Sequence, residues 1–404
     1  MPQQYSSFDF RMDGSRFIPD IGVPSSSTSL TLPSTLPKSA RGRDSMFYDI
    51  LTTTPTPLPG GSKYSFVAAD GMGEVTALIA GNDTASEILT TIPNGGSVIQ
   101  LLTDSASIYS VHLIGKVNCF DHAGKVQWST VIQGFPKANS IIAENALIIT
   151  SDSAITAIDI HSGKNIWIYR TTMSIGGTIY DGRSKLIIAS LSFNNPDAGD
   201  SIICFTSTGE IKSHIAFQST RIISNLCLCG NKKEKIAFGY FGKPDAVNNQ
   251  RTMHVAVYSG VQTGNPKSMS DHEVPYLVTN LASNGQILLS SGFRETGSDL
   301  QSGIDAFNAD DTTKIWQRRF SYPVVLPPAI NQKYLYFSLT FISEAEVTTQ
   351  SIFYTLDLTN GKTLVELPVA GAKDGFVNGI PMPMNGAALM LADRSRPVIY
   401  FLKP

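Results

Sequence analysis

ITAIDIHSGKNIWIYRT, residues 155–171, is an apolar run ending in Asp159, a short turn closed by Gly163 and Lys164, and a second run carrying Trp167. Residues 117–131, VNCFDHAGKVQWSTV, repeat it with a turn one residue shorter and put Asp121, Gly124, Lys125 and Trp128 in the same places. Residues 353–369, FYTLDLTNGKTLVELPV, repeat it through Asp357, Gly361 and Lys362, with Val365 where the tryptophan stands elsewhere. The pattern is that of a hairpin, in which Asp caps the turn through backbone N–H groups and Gly takes a positive φ. A tryptophan fixed in place after each turn predicts a flat ring laid between neighbouring units, where it buries the most area.

Weaker copies extend the pattern to 201–217, 253–270 and 303–320, where Trp316 regains the motif position. A second apolar hairpin precedes each copy, as in NSIIAENALIITSDSA before residue 155 and PAINQKYLYFSLTF before residue 353, so each unit holds four strands. The step from Trp128 to Trp167 is 39 residues, and that from Trp167 to Trp316 is 149, or three units of about 50. Four-stranded repeats of this length are the signature of a β-propeller. Seven units fall near 62–92, 97–132, 136–171, 176–217, 222–274, 276–320 and 324–369. Residues 374–404 supply only three strands, and MFYDILTTTP, residues 46–55, is expected to supply the fourth and close the ring. The fold read from the sequence is therefore all-β: a single propeller of about eight four-stranded blades over 46–404, closed by pairing of N- and C-terminal strands. An extended N-terminal arm, 1–45, precedes it.

Composition narrows the function. Charged residues make up 16% of the chain, below the ~25% of an average soluble protein. With a formal net charge of −2 there is no field to hold a polyanion, which excludes nucleic acid as the expected partner. The group Lys232, Lys233 and Lys235 reads as a solvated turn. The four cysteines fit neither a disulfide framework nor a zinc spacing, and Cys227 and Cys229 share one strand face as buried thiols. No stretch approaches the ~18 apolar residues needed to span a bilayer, and the first residues lack the basic-then-apolar pattern of a secretory signal. The chain reads as soluble, with a low-charge surface compatible with an extracellular, cell-surface, periplasmic or virion location. In the arm, Pro19, Pro24, Pro33 and Pro37 keep the chain extended. Phe8, Phe10, Phe17, Ile18 and Ile21 there are suited to lying along another subunit.

The Asp-x-x-x-Gly-Lys-x-x-Trp turns, their spacing and the eight units resemble the pyrroloquinoline-quinone (PQQ) type of repeat propeller over residues 46–404. That superfamily includes quinoprotein alcohol dehydrogenases and cofactor-free scaffolds such as the lipoprotein that assists outer-membrane β-barrel assembly. The enzymatic branch implies a disulfide between adjacent cysteines, a tryptophan floor under the quinone, and calcium held by acidic and amide side chains beside a catalytic Asp. This sequence has no adjacent cysteines, and its three tryptophans all occupy the repeat position, so no cofactor is expected and a small-molecule ligand is disfavoured. The six histidines, at 112, 122, 161, 214, 254 and 272, are scattered, and no Gly-x-Ser-x-Gly elbow occurs. Stretches 192–200, 241–251, 293–302 and 342–350 are expected to be long loops at one place in successive units, and so on one rim. The function expected is a non-catalytic scaffold or structural subunit that meets protein partners, or a larger assembly, through the propeller rim and the arm. The alternatives are a diverged quinone-dependent oxidoreductase and a carbohydrate-binding propeller.

Overall fold

A computed structural model of the chain describes residues 98–368 apart from 138, 194–198, 219, 245–250, 297–298, 321–327 and 343–348. Outside that span it describes the strands Tyr5–Ser6, Ser26–Thr31, Thr56–Pro57, Phe66–Ala69, Glu74–Ile79, Ala85–Thr91, Met382–Met384, Ala388–Ala392 and Val398–Lys403. The strands form eight antiparallel sheets, built from hairpins of consecutive strands except where a strand from the N-terminal segment joins the second and the last. They are numbered here as blades 1 to 8 in chain order.

Blades 2 and 3 show why the sequence reads as it does. In blade 2 the strands Val98–Thr103, Ile108–His112 and Lys116–Phe120 are buried along almost their whole length, whereas Val126–Val131 alternates between exposed and half-buried residues. Blade 3 repeats this through Ile141–Ala143, Ala146–Thr150, Ala154–Asp159 and Asn165–Arg170. Three inner strands are covered on both faces by neighbouring blades and so are buried along their length and mainly apolar, with buried polar residues such as Gln100, Ser110 and Asn118, while the perimeter strand keeps one wet edge. The cores accordingly lie between blades: one joins Tyr109 and Val117 of blade 2 to Leu147 and Ile158 of blade 3. Another joins Ile155 of blade 3 to Ile187 and Phe205 of blade 4 (Ser174–Asp181, Leu186–Ser192, Ser201–Thr206, Ile211–Ala216).

The ring closes as N- to C-terminal pairing, but through a different strand from the one expected. Ser26–Thr31 forms the perimeter strand of blade 8, pairing antiparallel with Val398–Lys403 from Ser26 opposite Lys403 to Thr31 opposite Val398. Residues 46–55 lie outside the described residues. A perimeter strand needs β-propensity but little apolar content, so the polar run SSTSLT serves there, and the more apolar MFYDILTTTP is not required. Tyr5–Ser6 adds to the inner edge of blade 2, with Tyr5 opposite Thr103. Two strands of the expected arm are thus built into the propeller; Phe8, Phe10, Phe17, Ile18 and Ile21 fall outside the described residues.

Long strands flank the expected rim loops, of which residues 194–198, 245–250, 297–298 and 343–348 lie outside the described residues. In blade 6 (Leu277–Ser283, Ile287–Thr296, Asp299–Asn308, Lys314–Phe320) residues 293–296 and 299–302 continue the ladder, with Phe293 opposite Ser302 and Thr296 opposite Asp299. The long strands Lys235–Pro244 and Arg251–Ser259 do the same in blade 5, and Tyr334–Ile342 and Thr349–Asp357 in blade 7. Blade 5 departs from its neighbours in another way, because its inner strand is broken into Arg221–Ile222 and Cys227–Cys229.

Candidate functional site

The repeat residues meet at the seams between blades. In blade 3 the Asp159 carboxylate accepts the backbone N–H of Ser162 at 2.7 Å and its hydroxyl at 2.7 Å, which holds the carboxyl below the usual range. Asp121 accepts the N–H groups of Ala123 and Lys125 at 3.0 and 2.9 Å, and Asp357 the N–H and hydroxyl of Thr359 at 2.8 and 2.6 Å. Gly124, Gly163 and Gly361 take φ of 80°, 70° and 71°. A β-bulge follows each turn on the outer strand and sets Trp128, Trp167 and Trp316 just beyond it. Each indole reaches the turn of the next blade: Nε1 of Trp128 donates to Ile160 O at 2.9 Å, Trp167 to Ser207 O at 2.9 Å, and Trp316 to Leu358 O at 2.7 Å. A Cβ on Gly163 would lie 2.7 Å from the Trp128 ring, and one on Gly361 2.8 Å from that of Trp316.

The bulge also reveals what the sequence concealed. The same position holds Ser213 in blade 4 and Ser270 in blade 5. Ser213 Oγ donates to Val261 O at 2.8 Å, taking over the indole's bond to the next turn. Ser270 makes no such bond; its Oγ is buried without a partner, and Lys235 serves that seam instead. Lys235 Nζ donates to Ala309 O at 3.2 Å and Asp310 O at 2.8 Å. Lys235 is therefore buried between blades rather than solvated with Lys232, because three acceptors replace its lost hydration. Thr312 occupies the glycine's place in that turn with φ of 63°.

Inner edges are joined by amides. Gln100 of blade 2 exchanges two bonds with the backbone of Ser140 in blade 3, at 2.9 and 2.7 Å. Asn225 of blade 5 does the same with Leu281 of blade 6, at 3.2 and 2.8 Å.

Two further arrangements lie around blade 5. On its face toward blade 4, Thr252 Oγ1 is 2.6 Å from His254 Nε2, His254 Nδ1 is 3.0 Å from Asp271, and the Tyr240 hydroxyl donates to Asp271 at 2.5 Å. These are the distances of a hydroxyl–imidazole–carboxylate relay. Strand alternation sets Thr252 and His254 on the side of the strand opposite Met253, yet Thr252 and Glu273, the cross-strand partner of His254, also line the neighbouring groove, so the relay borders it. It ties three strands of one sheet together. Beside it, a groove of about 470 Å³ opens between blades 5 and 6, lined among others by Arg251, Thr252, Met253, Glu273, Tyr276 and Arg294.

This arrangement of repeats, seams and perimeter strands, eight sheets among the described residues, defines a β-propeller whose fold is like that of the PQQ-type propellers. No protein-family model matches the sequence, and no curated protein matches it. Solved structures do. BamB from Moraxella catarrhalis is 14% identical with a TM-score of 0.61, covering 95% of this chain and 100% of its own. A europium-containing methanol dehydrogenase is 12% identical with a TM-score of 0.61, covering 97% and 89%. The quinohemoprotein alcohol dehydrogenase ADHIIG from Pseudomonas putida HK5 is 11% identical with a TM-score of 0.59, covering 97% and 79%. At these identities the likeness is one of fold.

The fold raises the question of a quinone, and the described residues do not fit one. All three tryptophans are committed to the seams by their N–H bonds, so none is a floor for a flat cofactor. Cys119, Cys204, Cys227 and Cys229 form no disulfide and are buried within their own sheets. Burial pushes the thiols of Cys204 and Cys229 up to about 11 and about 12, the reverse of a reactive cysteine. Among the described residues no three His, Cys, Asp or Glu side chains gather as metal ligands, and no helix is long and apolar enough to cross a membrane.

Proposed function

We propose that the protein is a non-catalytic scaffold that holds protein partners on the rim where the second and third strands of its blades join. One observation carries the reading. In blades 5, 6 and 7 those strands run to nine or ten residues, so that successive hairpins stand along one rim. Paired hairpins are a firmer platform than loops, and ordering them on binding loses little entropy. The N-terminal segment is a second proposed contact, through Phe8, Phe10, Phe17, Ile18 and Ile21.

The test is to cross-link the protein in its native source and identify what is joined to the blade 5–7 hairpins. Recovery of a defined partner linked to that rim is the expected result, and a chain that stays unlinked and monomeric on native mass measurement overturns the reading. The dehydrogenases of the same fold motivate a second reading, a diverged quinone-dependent oxidoreductase. Turnover of a redox dye with an alcohol, on adding PQQ and calcium, would establish it in place of the scaffold.

A further inference from the structure

We infer that Thr252 is an activated nucleophile that takes an acyl group from an activated ester, the acyl chain lying in the groove between blades 5 and 6. The inference goes beyond the scaffold reading, with which one stoichiometric acylation is compatible. A threonine hydroxyl alone is a weak nucleophile; a base within hydrogen-bond reach, itself oriented by a third group, activates it. Thr252 has both. Its Oγ1 lies 2.6 Å from His254 Nε2, and His254 Nδ1 lies 3.0 Å from Asp271 Oδ1. A carboxylate accepts and cannot donate, so the imidazole proton sits on Nδ1 and the Nε2 lone pair accepts from the Thr252 hydroxyl. The other carboxylate oxygen, Oδ2, accepts the Tyr240 hydroxyl at 2.5 Å. Burial, and then the bond to Asp271, push that hydroxyl well above its usual value and keep it a donor. The Tyr240 ring also stacks on the imidazole, with centroids 5.0 Å apart and planes 21° apart, which holds the ring in its plane.

The backbone leaves the hydroxyl open to a reactant. Pairing of the two long strands of blade 5 shifts register between Phe241, opposite Met253, and Pro244, opposite Arg251, so Thr252 lies at the irregularity. Bulges of this kind re-aim side chains beside functional sites. Gly242 lies there too, and a Cβ on it would stand 3.0 Å from Thr252 Oγ1 and 3.1 Å from His254 Nε2. Its bare Cα leaves free a space that a side chain would fill beside both reacting atoms. Thr252 is itself exposed, and it lines the groove of about 470 Å³, with Met253, Val274, Tyr276, Leu277 and Phe293 among the apolar lining. Tyr276, 3% exposed, is held by a bond of its hydroxyl to Ser290 Oγ at 2.8 Å. A preformed, largely apolar groove beside a nucleophile suits an acyl chain. In the reaction the Thr252 oxygen bonds to the ester carbonyl carbon while its proton passes to His254 Nε2. The ester C–O bond then breaks and the leaving oxygen takes that proton, so the products are acylated Thr252 and one alcohol. Asp271 and Tyr240 touch no reactant and are positioning residues. An aryl ester has a better leaving group than the threonyl ester it becomes, so acylation outruns hydrolysis and the chain stops at one acyl group.

Two activated esters, p-nitrophenyl hexanoate and p-nitrophenyl acetate, test this on the full chain. The hexanoate is expected to release a burst of p-nitrophenol equal to the protein present, and to leave a hexanoyl group that peptide mass mapping places on Thr252. It should react at least about tenfold faster than the acetate, because only the longer chain fills the groove. Thr252→Val, which is isosteric, and His254→Gln should each slow the burst about 100-fold or more, whereas Thr252→Ser should retain it. Asp271→Asn should slow it about tenfold or more with the preference for hexanoate and the urea midpoint unchanged, which separates a positioning role from a structural one. No acyl group on Thr252, a burst unaffected by His254→Gln in a chain that melts as the parent does, or equal rates for the two esters overturns the assignment. Continued release of p-nitrophenol beyond the burst would overturn the stoichiometric step and the non-catalytic part of the scaffold reading together. The scaffold reading otherwise fails separately. A chain that acylates as expected but cross-links to nothing loses the scaffold and keeps the nucleophile, and a partner cross-linked to a chain that shows no burst does the reverse.

Discussion

The seam between blades 2 and 3 and the seam between blades 5 and 6 solve one problem with different chemistry. In the first, Trp128 lies flat on Gly163 and donates to Ile160 O. In the second, Ser270 replaces the tryptophan, Thr312 replaces the glycine, and the buried ammonium of Lys235 takes the equivalent carbonyl, Ala309 O. The exchanges go together for a steric reason. Where an indole covers the turn no Cβ fits there, and where the indole is gone even a β-branched side chain is accommodated at positive φ. Glycine and tryptophan are thus two halves of one contact across the seam. Blade 5, which lacks the tryptophan on its outer strand, also carries the broken inner strand and borders the groove.

Ring closure should produce the largest effect. Removing residues 1–31 deletes the perimeter strand of blade 8, whereas removing 1–25 leaves it. The longer deletion is expected to cost more than ~5 kcal/mol, because it opens an edge in a closed ring, and the shorter one much less. Equal urea midpoints for the two truncations would show that the ring does not depend on Ser26–Thr31, and would make the seams alone responsible for its integrity.

Next come the two ways of sealing a seam. Trp167→Ala removes an indole stacked on Phe205 at 5.5 Å together with its bond to Ser207 O, and should destabilise by roughly 3–5 kcal/mol. Ser213→Ala removes only a hydroxyl donor at the same position of the next blade, and should cost about 1 kcal/mol. Chemical denaturation of both variants gives the ratio. If the two losses are equal, the indole acts mainly as a hydrogen-bond donor and the packing account of the seam is wrong.

The turn position allows the comparison to be run in both directions. Gly163→Ala meets a positive φ and the Trp128 ring at once, so about 2–3 kcal/mol should be lost. Thr312→Gly relieves a strained backbone that no indole covers, and should raise stability by about 1 kcal/mol. A Thr312→Gly chain that melts lower than the parent would mean that the hydroxyl bond from Thr312 to Asp311 O outweighs the strain.

The sequence made the repeat legible because the seam uses residues with narrow physical roles. Asp159, Gly163 and Trp167 cannot be exchanged freely, and their spacing reports the turn and the bulge together. The seams around blade 5 were not legible in this way. Ser213, Ser270 and Lys235 are ordinary polar residues whose role depends on a bulge register that only the paired strands reveal. The closing strand escaped for a similar reason, since SSTSLT carries no apolar signature and a perimeter strand does not require one. The groove draws residues from two blades and from positions 43 apart, Arg251 and Arg294, which no local pattern brings together.

The smallest effect is electrostatic and also separates the two kinds of turn. The Ser162 hydroxyl and N–H hold the Asp159 carboxyl below its usual range, and the Thr359 hydroxyl does the same for Asp357. A depressed folded-state value means that the stabilisation is complete above the unfolded value, near ~3.9, and is lost as pH falls through the lower folded value. Both residues are only half-buried, so solvent screening leaves each contribution at about 0.2–0.5 kcal/mol. In blade 6 the same capping position is Asn308, which accepts the N–H of Asp310 at 2.8 Å and has no proton to gain in this range. The double substitution Asp159→Asn, Asp357→Asn makes the other turns resemble it. The expected result is a small deficit relative to the parent at pH 7 that shrinks as the pH is lowered below 4, measured by urea midpoints at several pH values. A deficit that stays constant over that range would show that the carboxylates act through geometry alone, and that the Asp and Asn turns differ in shape rather than in charge.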